Sequence, residues 1–198
     1  MEIINHLLLE ELRQGRALRL DFGCGNRKRK GYYGVDIIQT EGVDIVADLN
    51  EPIDELPDNC VTDITSYHVF EHISNFLGLM AELHRITKHD GQIEIIVPHF
   101  SYPPAYSDPT HIRFFGLYTM CYFSEDQFTR RVPTYYTPIK FRILSIEIRF
   151  KRIGIDRLFA PLKEKLVNLN KKCQETYERL FCWIFPALEI RYVIQPCK

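Results

Sequence analysis

Residues 17–22 form a short apolar run closed by Gly23-Cys24-Gly25, and this junction constrains the fold more than any other feature of the chain. A near-continuous apolar run of this length reads as a buried strand. Glycines directly after it let the backbone approach a ligand where a Cβ would collide. In open α/β sheets, ligands lie beyond the carboxyl ends of the strands, so the junction marks a fold and a candidate site together. The form recurs at residues 32–37 and 43–49, each ending at or near an aspartate, and residues 61–67 and 92–97 add a fourth and fifth run. Residues 140–151 alternate (Phe141, Ile143, Ser145 against Leu144, Ile146, Ile148), and residues 187–194 close the set as a seventh strand.

Helical spacing fills much of the remainder. Ile4, Leu7, Leu8 and Leu12 line one face of a helix over 3–14 that stops at Gly15. Phe76, Leu77, Met80, Leu83 and Ile86 do the same over 74–88, with Ser74 as the expected cap and Gly91 beyond the end. Residues 155–185 read as mainly helical, broken at Pro161. Buried strands mixed with helices give an open α/β sheet. Between residues 99 and 138 proline, tyrosine and phenylalanine dominate and neither period holds. A compact domain rarely carries such a stretch without a use for it, so it reads as an insertion after the fifth strand. With no repeat, linker or low-complexity segment, residues 1–198 form one domain.

Composition excludes several classes. Lysine plus arginine number 25 against 26 acidic residues, a net charge of −1, without the basic excess of a duplex nucleic-acid binder. No apolar run approaches the roughly 18–20 residues of a membrane span. The start carries acids where a secretory signal places its basic residues. The six cysteines are scattered and form no CxxC pair, which suits reduced thiols. The expected setting is cytoplasmic, with no stable membrane insertion and no nucleic-acid partner.

The strand ends carry the chemistry. The nicotinamide fingerprint GxGxxG is missing, because Lys28 stands at its third glycine. Asp36 can accept hydrogen bonds from both hydroxyls of a ribose. Asp48 can address the exocyclic amine of an adenine, with Leu49 packing on the ring. A carboxylate at a strand end caps a turn equally well, and a lone GxG is equally a tight turn.

Taken together, LDFGCG (20–25), YYGVDI (32–37), VDIVADL (43–49), VTDITSYHVFEHI (61–73) and HRITKHDGQIEIIVP (84–98) resemble the class I methyltransferases that use S-adenosylmethionine (SAM). The resemblance implies a Rossmann-like seven-stranded sheet with the last strand antiparallel, helices on both faces, and an acceptor-site lid over 99–140. It implies a cofactor set of Asp21, Gly23, Gly25, Asp36, Ile37, Asp48, Leu49, Ser66 and His68. In it the two glycines pass the methionine part of SAM, Asp36 holds the ribose, Asp48-Leu49 face the adenine, and Ser66, Tyr67 and His68 lie beside the cofactor. The chain departs from the family in one respect. Only NRKRK separates Gly25 from Gly31, too little for the usual helix, so the helix N-terminus that faces the SAM carboxylate is absent or replaced. The charges of residues 27–30 either compensate or form a solvated turn.

His68, Glu71 and His72 match the family's HVFEH-like run. Their order is also that of the inverted zinc-protease motif, but they follow a strand of a SAM-type sheet, so no metal is expected. His111 in DPTHIRFF (108–115), then His99 and His68, are the candidate general bases, with Asp108 able to orient His111; a hydrogen bond to a loop backbone is the equal alternative for His111. Nearby aromatics (Tyr102, Tyr106, Phe114, Phe115, Tyr118, Tyr122, Phe123) form either a lid, stacking on a sugar or ring, or the core of the insertion. The segment ending in Leu180–Phe185 reads first as core, then as a homodimer or membrane-surface contact. No NPPY-like run follows the fourth strand. That absence disfavours amino-methylation of nucleic-acid bases, and the expected activity is O-methylation of a small molecule or glycan precursor. The alternative is a non-catalytic SAM-binding module of the same fold.

Overall fold

Eight strands form one mixed sheet in the order β1-β4-β3-β2-β5-β6-β8-β7. The computed structural model describes residues 1–152, 154 and 156–198. The strands are β1 (Glu2–Ile3), β2 (Leu18–Phe22), β3 (Tyr33–Asp36), β4 (Ile45–Val46), β5 (Val61–Tyr67), β6 (Thr87–Pro98), β7 (Lys140–Arg149) and β8 (Glu189–Cys197). Strands β4, β3, β2, β5 and β6 run parallel, and β8 is antiparallel to both of its neighbours. The mixed, Rossmann-like sheet with its antiparallel last strand is thus the one expected. The eighth strand, β1, pairs with β4 at the edge and takes up residues that periodicity assigns to the first helix.

The helices are α1 (His6–Arg13), α2 (Phe76–Ile86), α3 (Pro104–Ser107), α4 (Asp156–Val167) and α5 (Lys171–Leu180). Asn75 rather than Ser74 caps α2, its side chain accepting from the Gly78 N–H. Pro161 lies inside α4 without ending it. The interruption comes after Val167, where Asn170 caps α5 and Asn168 hydrogen-bonds the edge of β7 at Ile148. Ile155, where the C-terminal helical region was expected to start, lies outside the described residues. Leu180, Phe181, Trp183, Ile184 and Phe185 are exposed, and in that run only Cys182 is buried. The segment does not pack as core, because the turn after α5 points its large side chains outward.

One face of the sheet is apolar and closed. Leu18, Leu20, Phe22, Ile64, Ile93, Ile95, Ile190 and Tyr192 are buried there with Leu8 of α1 and Phe76, Leu79, Met80 and Leu83 of α2. The irregular stretch after β6 completes this layer. Phe115 and Phe123 meet the Phe76 ring edge-on at 5.8 and 5.6 Å, so these two aromatics are core, while Tyr106, Phe114 and Tyr122 stay exposed. In β7 the register shifts between Ile143 and Ser145. That bulge puts Phe141 and Ile148 in the same core although their numbers differ in parity.

The other face is polar. The crossovers β2–β3, β3–β4 and β4–β5 hold turns and no helix, which refines the expectation of helices on both faces. In register along this face lie Arg19 beside Asp63, Thr65 beside Glu94, and Ile96 beside Arg191. A chain of ion pairs crosses it from Arg29 through Glu94, Arg191, Glu147 and Arg149 to Glu189. Long charged side chains lie where the shortened connections leave no helix to pack.

Candidate active site

The glycine loop is fixed from both sides. Gly23 adopts φ +68°, and a Cβ there would stand 2.0 Å from Cγ2 of Val69. No residue but glycine fits that contact. Gly25, at φ +49°, faces open space instead. Its N–H donates to Asp36 Oδ2 at 2.9 Å, and Asp36 Oδ1 accepts from the Ile38 N–H at 3.1 Å. The acid at the end of β3 therefore lies on the glycine loop, with Ile37 and Ile38 exposed beside it at 59% and 66%.

The stretch that replaces the usual helix is held by its acids and bases. Asp21 accepts from the Arg29 N–H at 2.7 Å. Burial pushes its carboxyl above the usual range, opposed by that bond and by the charges of Arg29 and Lys28. Lys28 pairs with Asp44 at 2.5 Å, and Arg29 with Glu94 at 2.9 Å. Burial works to raise the Asp44 carboxyl, but hydrogen bonds from Lys28, Asn5 and Gly34 outweigh it and hold it below the usual range. Two of the four charges at 27–30 are thus structural ties, neither a free turn nor spare positive charge.

Other expected cofactor residues are placed differently. Leu49 is 6% exposed and belongs to the core, so it has no free face for a ring; Ile37 has one. Asp48 is exposed and caps a turn through the Asn50 N–H and side-chain amide, both at 2.9 Å. Ser66 is buried with its hydroxyl unpartnered. Tyr67 is exposed and stacks on His68 with ring centroids 4.2 Å apart.

The histidines separate by access. His68 has φ +56°, so the run from 68 to 72 is not an α-helix, and only Phe70–His72 forms a 3-10 turn. His68 and His72 consequently do not share a helical face. The His68 side chain is 31% exposed, with Nε2 3.4 Å from Glu189 and Nδ1 3.8 Å from Glu71. The His111 side chain is 10% exposed, and its Nδ1 donates to the Ala105 carbonyl at 3.0 Å. His99 has no exposed surface; its nitrogens meet Ser101 at 2.8 Å and Glu178 at 3.2 Å. An acceptor cannot reach His99 unless the core opens. Asp108 does not hydrogen-bond His111, its Oδ2 lying 3.7 Å from Nε2; it caps its own turn through Thr110. Sequence reasoning passed over Val69 and Glu189. It also gave no role to the Glu71 carboxylate, which lies between His68 and His111. Burial raises the Glu71 carboxyl above its usual range, with His68, His72 and His111 among the groups that oppose the rise.

Residues 20–95, from β2 into β6, match the family described as "Methyltransferase domain". That segment contains the glycine loop, Asp36 and the His68–His72 run. Over this segment, somewhat more than a third of its length, the chain is similar to methyltransferase domains, which supports a class I SAM-dependent methyltransferase. The fold agrees. A SAM-dependent methyltransferase from Archaeoglobus fulgidus superposes over 96% of this chain and 93% of its own, with 18% identity and a TM-score of 0.54. The MccD protein covers 98% and 97% with 14% identity and a TM-score of 0.53. At these identities the likeness concerns the fold alone. A comparison with curated proteins returns no match.

The similarity implies S-adenosylmethionine as cofactor, and the residues present fit it. Open space at Gly25, a carboxylate at the end of β3 and the exposed Ile37 make a cradle at the carboxyl ends of the strands. The non-catalytic alternative is not favoured. Among the described residues no helix is long and apolar enough to cross a membrane.

Proposed function

We propose that the chain is a SAM-dependent methyltransferase that methylates an oxygen nucleophile on a small molecule or glycan precursor, with His68 as the general base. Access carries the assignment. Of the three candidate histidines, His68 is the one with substantial exposure, and it directly follows β5. His111, first choice from sequence, has Nε2 turned toward Glu71 at 3.9 Å.

SAM supplies a methyl group already activated on a sulfonium. The chain must then position the acceptor, exclude water and remove one proton. Asp36 would hold the ribose hydroxyls on lone pairs not used by Gly25 and Ile38, and Ile37 would cover the adenine. His68 would take the hydroxyl proton of the acceptor, whose oxygen would receive the methyl group that SAM supplies. Glu189, 3.4 Å from Nε2, would stabilise the imidazolium that forms. A cleft of about 460 Å³ among Phe100, Arg113, Phe114, Tyr122 and Tyr136 offers aromatic faces for a sugar or planar ring.

The test is transfer of radiolabelled methyl from SAM to a panel of phenols, hydroxylated metabolites and nucleotide-linked sugars. Oxygen-methylated product is expected, and His68→Ala should lower turnover by roughly 10²–10⁴-fold while leaving SAM affinity nearly unchanged. Methylation only on nitrogen or sulfur, or wild-type turnover in His68→Ala, would overturn the proposal.

A further inference from the structure

The sequence reading assigns no metal to this chain, yet one side-chain cluster beside β5 has the makings of a cation site. Glu71 is 1% exposed, and both of its carboxylate oxygens lack a hydrogen-bond partner. Buried polar groups are ordinarily satisfied, and a bare buried carboxylate calls for a positive partner. Beside His68, whose Nδ1 lies 3.8 Å away, two further neighbours, His111 and His72, present lone pairs. His111 Nδ1 faces the Ala105 carbonyl at 3.0 Å, and a carbonyl can only accept. Nδ1 therefore carries the proton, and Nε2, 3.9 Å from Glu71 Oε1, is left as an acceptor.

The same holds for His72. Its Nδ1 faces the Thr110 carbonyl at 3.3 Å and the Thr110 hydroxyl at 3.0 Å, and that hydroxyl donates to Asp108 at 2.6 Å. Nδ1 is again the donor and Nε2 the free lone pair. The two rings meet edge to face with centroids 4.8 Å apart. One ligand atom from each of Glu71, His72 and His111 lies within 4.8 Å of the others. Each imidazole thus gives its outer N–H to a fixed oxygen, the outer-shell arrangement that orients ligating histidines. The backbone completes the frame, because the Ile112 and Arg113 N–H groups both donate to the Glu71 carbonyl and hold the two segments together.

We infer that Glu71, His72 and His111 bind one divalent first-row transition-metal ion and leave coordination positions open. Zinc bonds of about 2.0–2.2 Å place ligand atoms roughly 3–4 Å apart, so the cluster needs only a small contraction. Two imidazoles with one carboxylate suit zinc, iron or cobalt, whereas magnesium and calcium prefer oxygen ligands. The set is not the His68-Glu71-His72 run that the sequence order brings to mind. His111, from the stretch after β6, stands in the third place. The inference goes beyond the proposed acceptor chemistry and rests on neither SAM nor acceptor.

Chelator-treated protein should be titrated with Zn²⁺ by calorimetry and with Co²⁺ by visible absorption. Expected are one equivalent of tight binding, a raised melting temperature and the visible bands of cobalt bound by nitrogen and oxygen. His72→Ala, His111→Ala and Glu71→Gln should each weaken binding by about ten-fold or more, a loss that removal of outer-shell partners alone commonly reaches. Glu71→Gln keeps the side-chain shape if a histidine variant fails to fold. His89→Ala, at an exposed distant position, should bind as wild type. Absence of stoichiometric binding in the wild type, or wild-type affinity in the folded ligand variants, would overturn the inference.

Discussion

Replacing Gly23 by alanine should destabilise this protein far more than the addition of a single methyl group implies. The cost has two parts. A left-handed φ of +68° costs an L-residue roughly 1–2 kcal/mol. The new Cβ would lie 2.0 Å from Cγ2 of Val69, and overpacking of this kind typically costs about 1–3 kcal/mol. The sum, about 2–5 kcal/mol, is a large fraction of a typical domain's stability of roughly 5–15 kcal/mol. Equilibrium urea unfolding of wild type, Gly23→Ala, Val69→Ala and the double variant separates the two parts. Because the contact is direct, the double variant should be more stable than additivity allows by about 1–3 kcal/mol, within the usual range of coupling between touching residues. Gly25→Ala is the internal control. Its φ is +49° and its Cβ would meet nothing within 4 Å, so only the backbone part, about 1–2 kcal/mol, should appear. A wild-type midpoint for Gly23→Ala, or strict additivity with Val69→Ala, would show that the glycine loop and the turn after β5 are not packed as described.

Asp36→Ala should weaken SAM binding about ten-fold or more in calorimetry, since a charged acceptor contributes roughly 1.5–3 kcal/mol; a folded variant with wild-type affinity would make Asp36 a loop tie and nothing else. Asp48→Ala should change affinity by less than about 0.5 kcal/mol, as expected of an exposed turn residue, and a ten-fold loss would return it to the site. Glu82 tests the electrostatics away from the site. Hydrogen bonding from Arg85 holds its carboxyl below the usual range, so its contribution is full above the unfolded value of about 4.3 and fades as pH falls through the lower folded value. The urea midpoints of wild type and Glu82→Gln should therefore differ at neutral pH and converge in acid, and a gap independent of pH would contradict this.

The frame of the sheet was legible because each of its parts is a local backbone demand. A strand that must be followed by Gly23, an acid that must end β3 and an apolar helix face over Phe76–Ile86 leave marks within a few residues. What was not legible depends on partners distant in sequence. Glu71 and His111 come together only because the stretch after β6 folds back on the turn after β5. Asp48 and Asp36 look alike in sequence, yet Asn50 claims the first and the glycine loop claims the second. The polar face did leave a mark, in Arg19, Asp63, Glu94 and Arg191 at alternate positions within strands. Reading those strands as apolar runs hid it. The bulge at Leu144 escaped because an inserted residue changes the parity of a strand without changing its composition.

In the proposed site, the carboxyl ends of β2, β3 and β5 hold S-adenosylmethionine. Calorimetric titration with SAM and with its demethylated product, paired with thermal unfolding, tests it directly. Binding to the native state alone raises stability by about 2.7 kcal/mol when ligand is at 100 times its dissociation constant. The account predicts saturable heat with one site per chain and a melting temperature that climbs with ligand concentration. Neither heat nor a shift at millimolar concentrations of both ligands would contradict it.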